Sequence, residues 1–96
     1  MTRQEMQEFR DEMRETLRRM EEAKPRFAVL HKRVSANLEE RTLLVKKLTT
    51  AALAGDERAV KLLTKKLKES TDEGVRLAKK MEALHERVFE SRPATT

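Results

Sequence analysis

Ten pairs of residues whose numbers sum to 111 constrain the fold of this chain more than any other feature of its sequence. Every member of a pair occupies an a or d position of a seven-residue repeat, and every pair joins an a position to a d position. Two antiparallel helices that share one apolar seam require this arrangement. The pairs are Met20 with Ser91, Ala23 with Val88, Phe27 with Leu84, Leu30 with Met81, Val34 with Leu77, Asn37 with Gly74, Arg41 with Ser70, Leu44 with Leu67, Leu48 with Leu63, and Ala51 with Val60. The sequence therefore predicts an all-α, coiled-coil-like helical hairpin.

Local signals set the ends of the predicted helices. Thr2 followed by Glu5 forms a capping-box pattern that starts a helix. Gly55 can adopt the left-handed conformation that ends a helix, and Asp56 can cap the next one. Ser91-Arg92-Pro93 stops the second arm near residue 90. We expect a single helical domain over 1–93, followed by a disordered tail over 94–96.

Pro25 leaves two interpretations of the first arm open. The heptad frame runs through it without a shift and Pro25 falls on the outward f position, which favours one helix over 2–54 with a kink at 22–25. Proline also removes a helical hydrogen bond and disfavours helical geometry at Lys24, which favours a break. A break gives three helices, over about 2–23, 26–54 and 56–90. In the last of these, Gly74 follows a second capping-box pattern, but the unbroken frame from 60 to 88 favours a continuous helix.

The second arm is too short to cover the first. A second arm of about 35 residues covers only residues 20–54 of the first arm. The apolar side chains that precede residue 20 therefore have no helix to pack against. Further apolar side chains lie at e positions beside the hairpin seam, which widens its apolar face. The predicted oligomer or partner interface consists of Met6, Phe9, Met13, Leu17, Met20, Leu38 and Val45. Either the first helix folds back at Pro25 as a three-helix bundle, or, as we prefer, a homodimer with an antiparallel four-helix core forms.

Positive charge gathers at the predicted turn. Residues 41–68 contain eight basic and two acidic residues, whereas residues 1–24 contain six basic and seven acidic residues. The basic residues of this tip are Arg41, Lys46, Lys47, Arg58, Lys61, Lys65, Lys66 and Lys68. Such a tip attracts a phosphate backbone or an acidic partner, although a solvated face is the more common meaning of the pattern. Few arginines and no aromatic residues at the tip argue against base recognition.

No pattern in the sequence indicates catalysis or a cofactor. Gly-rich phosphate loops, nucleophile elbows and paired-carboxylate clefts are missing from the sequence, and so are cysteines. His31 and His85 have no neighbour at metal-ligand spacing. We therefore expect no enzyme, no metal, no cofactor and no small-molecule substrate. No apolar run reaches the ~20 residues that span a bilayer, so we expect no membrane contact and a cytoplasmic location.

Two functional classes are left. The unpaired apolar residues favour a non-enzymatic protein–protein interaction module, an assembly, adaptor or inhibitor protein, that binds itself and another protein. The alternative is a nucleic-acid backbone binder that uses the basic tip.

Overall fold

The computed structural model describes residues 1–89 and shows two long helices packed as an antiparallel hairpin. Helix α1 spans Arg3–Leu53 and helix α2 spans Glu57–Phe89. A helix of 51 residues is about 76 Å long at 1.5 Å per residue, and the longest dimension of the molecule is 73 Å. Helix α1 therefore runs the full length of the molecule, and α2 packs along its C-terminal part. The predicted all-α hairpin is confirmed.

Side-chain and backbone caps fix both ends of α1 and the start of α2, as the sequence predicts. Thr2 Oγ1 accepts a hydrogen bond of 3.1 Å from the Glu5 backbone N–H. At the turn, Gly55 has φ +70°, and its N–H donates to the Ala52 carbonyl while the Asp56 N–H donates to the Ala51 carbonyl. These two bonds define a Schellman motif, which requires the left-handed residue that glycine supplies. Asp56 Oδ1 then caps α2 by accepting from the Ala59 N–H at 3.1 Å.

Helix α1 continues through Pro25, so the predicted break into helices at 2–23 and 26–54 is wrong. The first twenty residues do not fold back onto the hairpin, and the three-helix bundle does not form. The physical reason is packing on both sides of the proline: Ala23 belongs to a buried cluster with Leu84 and Val88, and Phe27 packs against the same cluster. This packing offsets the lost hydrogen bond of an outward-facing, exposed proline. A kink at this position stays a prediction.

Helix α2 is continuous through Gly74, as predicted. The predicted third helix over 56–90 therefore corresponds to α2, with its first residue at Glu57. Residue 90, the stop at 91–93 and the tail over 94–96 lie outside the described residues, and so does one member of the pair Met20–Ser91.

Burial follows the predicted seam almost residue for residue. In the nine pairs from Ala23–Val88 to Ala51–Val60, every member is buried or half-buried. Of the other residues between 20 and 89, Ala59 alone is not exposed. Leu77 and Val88, at 2% and 4% exposure, are the most deeply buried side chains. The hairpin is thus held by one narrow stripe on each helix.

A polar layer interrupts this seam at its middle. Asn37 Nδ2 donates to the Ser70 carbonyl at 2.9 Å and to Ser70 Oγ at 3.3 Å. The Ser70 hydroxyl donates in turn to Glu40 Oε2 at 3.3 Å. A slip of α2 by one heptad would place Asn37 opposite Leu67 or Met81, and an unbonded buried amide costs about 1–3 kcal/mol. The layer therefore stabilises one register of the hairpin over its neighbours.

Gly74 is required in this layer because the side chain of Asn37 fills the space beside it. A Cβ atom at Gly74 would lie 2.7 Å from Asn37 Oδ1 and 3.3 Å from the Arg41 guanidinium. We predict that Gly74→Ala lowers the free energy of unfolding by about 1–2 kcal/mol, because Asn37 must rotate away from Ser70 and lose its bonds. Urea unfolding followed by circular dichroism measures this change.

The matched control for this prediction is the same substitution in an Asn37→Ala background. With the amide removed, alanine at position 74 should stabilise the helix by up to about 1 kcal/mol, the difference in helix propensity between alanine and glycine. Equal effects of Gly74→Ala in the two backgrounds would show that the contact with Asn37 is not the cause.

Candidate interaction surfaces

The N-terminal part of α1 extends beyond the end of α2. In the frame that pairs residues summing to 111, Phe89, the last residue of α2, stands opposite residue 22. Residues 3–21, here called the overhang, have no helix beside them in the described structure. Its predicted apolar residues Met6, Phe9, Met13, Leu17 and Met20 are all between 42% and 55% exposed. The heptad spacing places four of them on the line that continues the hairpin seam, with Leu17 beside it.

Ion pairs on the polar face stabilise the overhang in the absence of packing. Arg18 pairs with Glu15 three residues earlier and with Glu22 four residues later, the latter at 2.6 Å. Arg19 Nε also donates to Glu15 Oε1, at 3.1 Å. The hydrogen bond from Arg18 lowers the pKa of Glu15 from 4.5 to about 2 and raises the pKa of Arg18. Neighbours at these spacings face each other on a helix, so the pairs hold the overhang in helical form.

The pKa of Glu15 gives a testable pH dependence. Because its folded-state pKa is lowered, Glu15 favours the helix fully above about pH 4.5, and this contribution is lost as the pH falls toward 2. In Arg18→Gln we expect the pKa of Glu15 to rise toward its ordinary value, with Arg19 retaining part of the shift. Carboxyl-carbon NMR titration at low ionic strength, where surface charges are least screened, measures both values. Identical Glu15 titrations in the two proteins would contradict the assignment.

An apolar cavity lies where the overhang meets the end of α2. It measures 430 Å³ and is lined by Leu17, Met20, Glu21, Lys24, Phe27 and Phe89. The Phe89 ring also contacts the ring of His85, with centroids 4.6 Å apart. This junction cavity extends the exposed apolar surface of the overhang up to the first packed layer of the hairpin.

The predicted interface residues form two separate surfaces. Leu38 and Val45 are exposed, at 56% and 48%, but Leu38 lies about 27 Å along α1 from Met20 at 1.5 Å per residue. Thr71, on the same side of α2, donates its hydroxyl to the Leu67 carbonyl at 2.8 Å. That internal bond leaves the face beside Leu38 and Val45, here called the side face, largely apolar.

Seven of the eight residues of the predicted basic tip are exposed, and Arg41 is the exception. Lys46, Lys47, Arg58, Lys61, Lys65, Lys66 and Lys68 are exposed and form no ion pair with residues 1–89. Arg41 instead lies half-buried in the seam beside Gly74, and its Nε is a buried donor without a hydrogen-bond partner. Seven residues therefore present their charge to solvent around the turn, and Arg41 belongs to the polar layer.

Sequence reasoning missed a groove at the open end of the hairpin, opposite the turn. The groove measures 500 Å³ and is lined by Pro25, Arg26, Val29, Leu30, Lys80, Ala83, Leu84 and Arg87. Its cations form no ion pair with any described residue. One sequence pattern could have predicted this groove. Each helix has an exposed apolar residue at a c position, Val29 in α1 and Ala83 in α2. These residues lie next to Arg26 and Arg87, which face each other at g positions.

No other kind of site is found in the described part of the chain. Residues 1–89 contain no cluster of three acidic or histidine side chains suited to a metal ion. Neither α1 nor α2 has a segment long and apolar enough to cross a bilayer. The sequence matches no protein-family model, and it shows no significant similarity to a curated protein or to a solved structure. The surfaces themselves therefore provide the basis for assigning a function.

Proposed function

We propose that this protein is a non-enzymatic protein–protein interaction module that self-associates through its overhang and serves as an assembly, adaptor or inhibitor protein. One observation carries the proposal: α1 continues for 19 residues past the position opposite Phe89, the last described residue of α2, and four of its five a and d positions there are apolar. A solvated helix has no need of that spacing, whereas a helix that packs against another one requires it.

The energetics support a weak but specific association. Full burial of a large apolar side chain contributes about 1.5–3 kcal/mol, and the five apolar residues of the overhang are about half-exposed. Burying the exposed remainder of these side chains contributes about 1 kcal/mol per side chain, or about 10 kcal/mol for the ten side chains of two copies. Association costs at least about 4 kcal/mol in lost freedom. The net gain is then about 6 kcal/mol at most, and we expect a dissociation constant of about tens of micromolar. A dimer of this affinity dissociates readily when its concentration falls, which suits regulated assembly.

The side face supports binding of a second, different protein. Leu38 and Val45 lie far from the overhang on the same rigid helix, so one surface can be occupied while the other is free. An amphipathic helix of a partner protein fits such a face. Its apolar residues would be spaced one and two helical turns apart. A cytoplasmic location of these interactions stays a prediction.

Met13→Asp tests self-association. A carboxylate at the centre of the apolar stripe cannot be buried without a partner, and we expect dimerisation to weaken at least about 100-fold, which corresponds to about 2.7 kcal/mol. Sedimentation equilibrium across the micromolar range measures this change, and circular dichroism checks that the hairpin remains folded.

Leu62→Asp is the matched control for Met13→Asp. Leu62 is also an exposed apolar residue, at 54% against 44% for Met13, but it lies on α2 away from the seam and the overhang. The control variant should dimerise like the wild type. A wild-type protein that sediments as a monomer at high micromolar concentration would overturn the proposed function.

The basic tip supports a second candidate function, binding of a nucleic-acid backbone. Seven exposed cations lie around one turn and form no ion pair within residues 1–89. A positively charged cluster attracts a phosphate backbone, and such binding weakens steeply with salt. We predict that reversing the charge at Lys61, Lys65, Lys66 and Lys68 abolishes binding to duplex RNA or DNA, measured by fluorescence anisotropy at two salt concentrations. Reversal of Lys24, Lys32, Lys79 and Lys80 is the control with equal net charge. Equal binding by the two variants would mean that the tip is only solvated.

A further inference from the structure

We infer that the overhang stripe is covered by the overhang of a second copy of this chain, which lies antiparallel to it in a register where paired residue numbers sum to 22. The inference rests on the proposed self-association and adds its geometry. In this register Phe9 packs against Met13 of the second copy, Met6 against its Thr16, and Met20 against its Thr2. The two copies form one rod, joined end to end at their N-termini.

The end of α2 determines the direction of pairing. Helix α2 occupies the seam face of α1 from residue 22 to the turn. In a parallel dimer, the second α1 would continue along that same face past residue 22 and collide with α2, because α1 is one unbroken helix. In an antiparallel dimer, the second α1 begins near residue 20 and extends away from the hairpin. Antiparallel pairing therefore covers both overhangs and displaces no residue of α2 up to Phe89.

Sterics exclude a register shifted by one heptad toward the hairpin. In that register, residue numbers sum to 29, so residues 2–7 of the second copy would stand opposite residues 22–27. That part of the seam face is already covered by residues 84–89 of α2. The sum of 22 is thus the deepest overlap that the described part of α2, up to Phe89, permits.

Charge disfavours a register shifted by one heptad the other way. In antiparallel helix pairs the g positions face one another on one flank of the seam, and the e positions on the other. With a sum of 15, Glu5 faces Glu12 and Arg3 faces Arg10, twice each by symmetry. With a sum of 22, Glu5 of each copy faces Arg19 of the other. Only two like-charged pairs then remain, Glu12 with Glu12 and Arg10 with Arg10, and both lie at the twofold axis of the dimer. Opposite charges across a flank select this register.

The junction cavity also fits this arrangement. Thr2 of the second copy faces Met20, so the first turn of its helix reaches the 430 Å³ cavity lined by Leu17, Phe27 and Phe89. The e position of that turn is Arg3, which faces Leu17, and the aliphatic stem of an arginine covers such a residue while its charge stays in water. The second copy therefore continues the seam at the point where α2 leaves it.

Single cysteines test the register, because the natural chain has none. Two copies of Glu12→Cys meet at the dyad, offset by about 3 Å along the axis at 1.5 Å per residue. Two copies of Glu5→Cys are offset by about 18 Å on the same scale. With a short bis-maleimide linker we expect Glu12→Cys to form a covalent dimer in high yield and Glu5→Cys to form almost none. Val45→Cys reports a side-by-side dimer through the side face, and we expect no product from it.

A charge swap provides a second test that does not depend on the linker. Glu5→Arg alone and Arg19→Glu alone should each weaken dimerisation by about threefold to tenfold, since each creates two repulsive pairs on the flank. The double variant restores both pairs with inverted charge, and its dissociation constant should return close to the wild-type value. A double variant weaker than either single variant would contradict the pairing of Glu5 with Arg19.

The outcomes separate the register from the proposed function. A wild-type protein that remains monomeric overturns both. A stable dimer in which Glu12→Cys does not crosslink and the charge swap does not restore affinity overturns the register and leaves self-association standing. Efficient crosslinking of Val45→Cys in place of Glu12→Cys assigns the dimer to the side face and also overturns the end-to-end arrangement.

Discussion

The unequal lengths of two helices that share one seam determine the surfaces of this protein. Helix α2 has 33 residues and α1 has 51, so the side chains of α1 that continue the seam past Phe89 have no helix beside them within residues 1–89. The hairpin itself depends on an apolar stripe of two residues per heptad on each helix, and residues 1–89 contain no third helix to provide further burial. The overhang, the junction cavity and the open-end groove all lie at or near the point where α2 ends.

The polar layer determines where that point lies along α1. Asn37, Ser70 and Gly74 fit one another in a single register, and the apolar layers on either side would tolerate a slip by one heptad. Such a slip would lengthen or shorten the overhang by two turns of helix. The buried Asn37 Oδ1 and Arg41 Nε have no hydrogen-bond partner, so this specificity comes at some cost in stability.

The sequence predicts the parts of this structure that follow from spacing and caps. The a and d pairing, the left-handed turn at Gly55 and the cap by Asp56 all depend on local or periodic rules. The behaviour of Pro25 does not, since the packing of Ala23 and Phe27 against α2 overrides the local preference of proline to break a helix. The seam position of Arg41 and the groove beside Val29 also require three-dimensional geometry, because each depends on side chains of both helices.

The position of Pro25 near the base of the overhang has a consequence for unfolding. Proline has no N–H to donate to the carbonyl of Glu21, so one hydrogen bond of the helical ladder is missing close to where tertiary packing begins. Fraying that starts at Thr2 can advance through the overhang and stop at this gap, because the layers beyond it are clamped by α2. We therefore expect the overhang and the hairpin to unfold as two units of unequal stability.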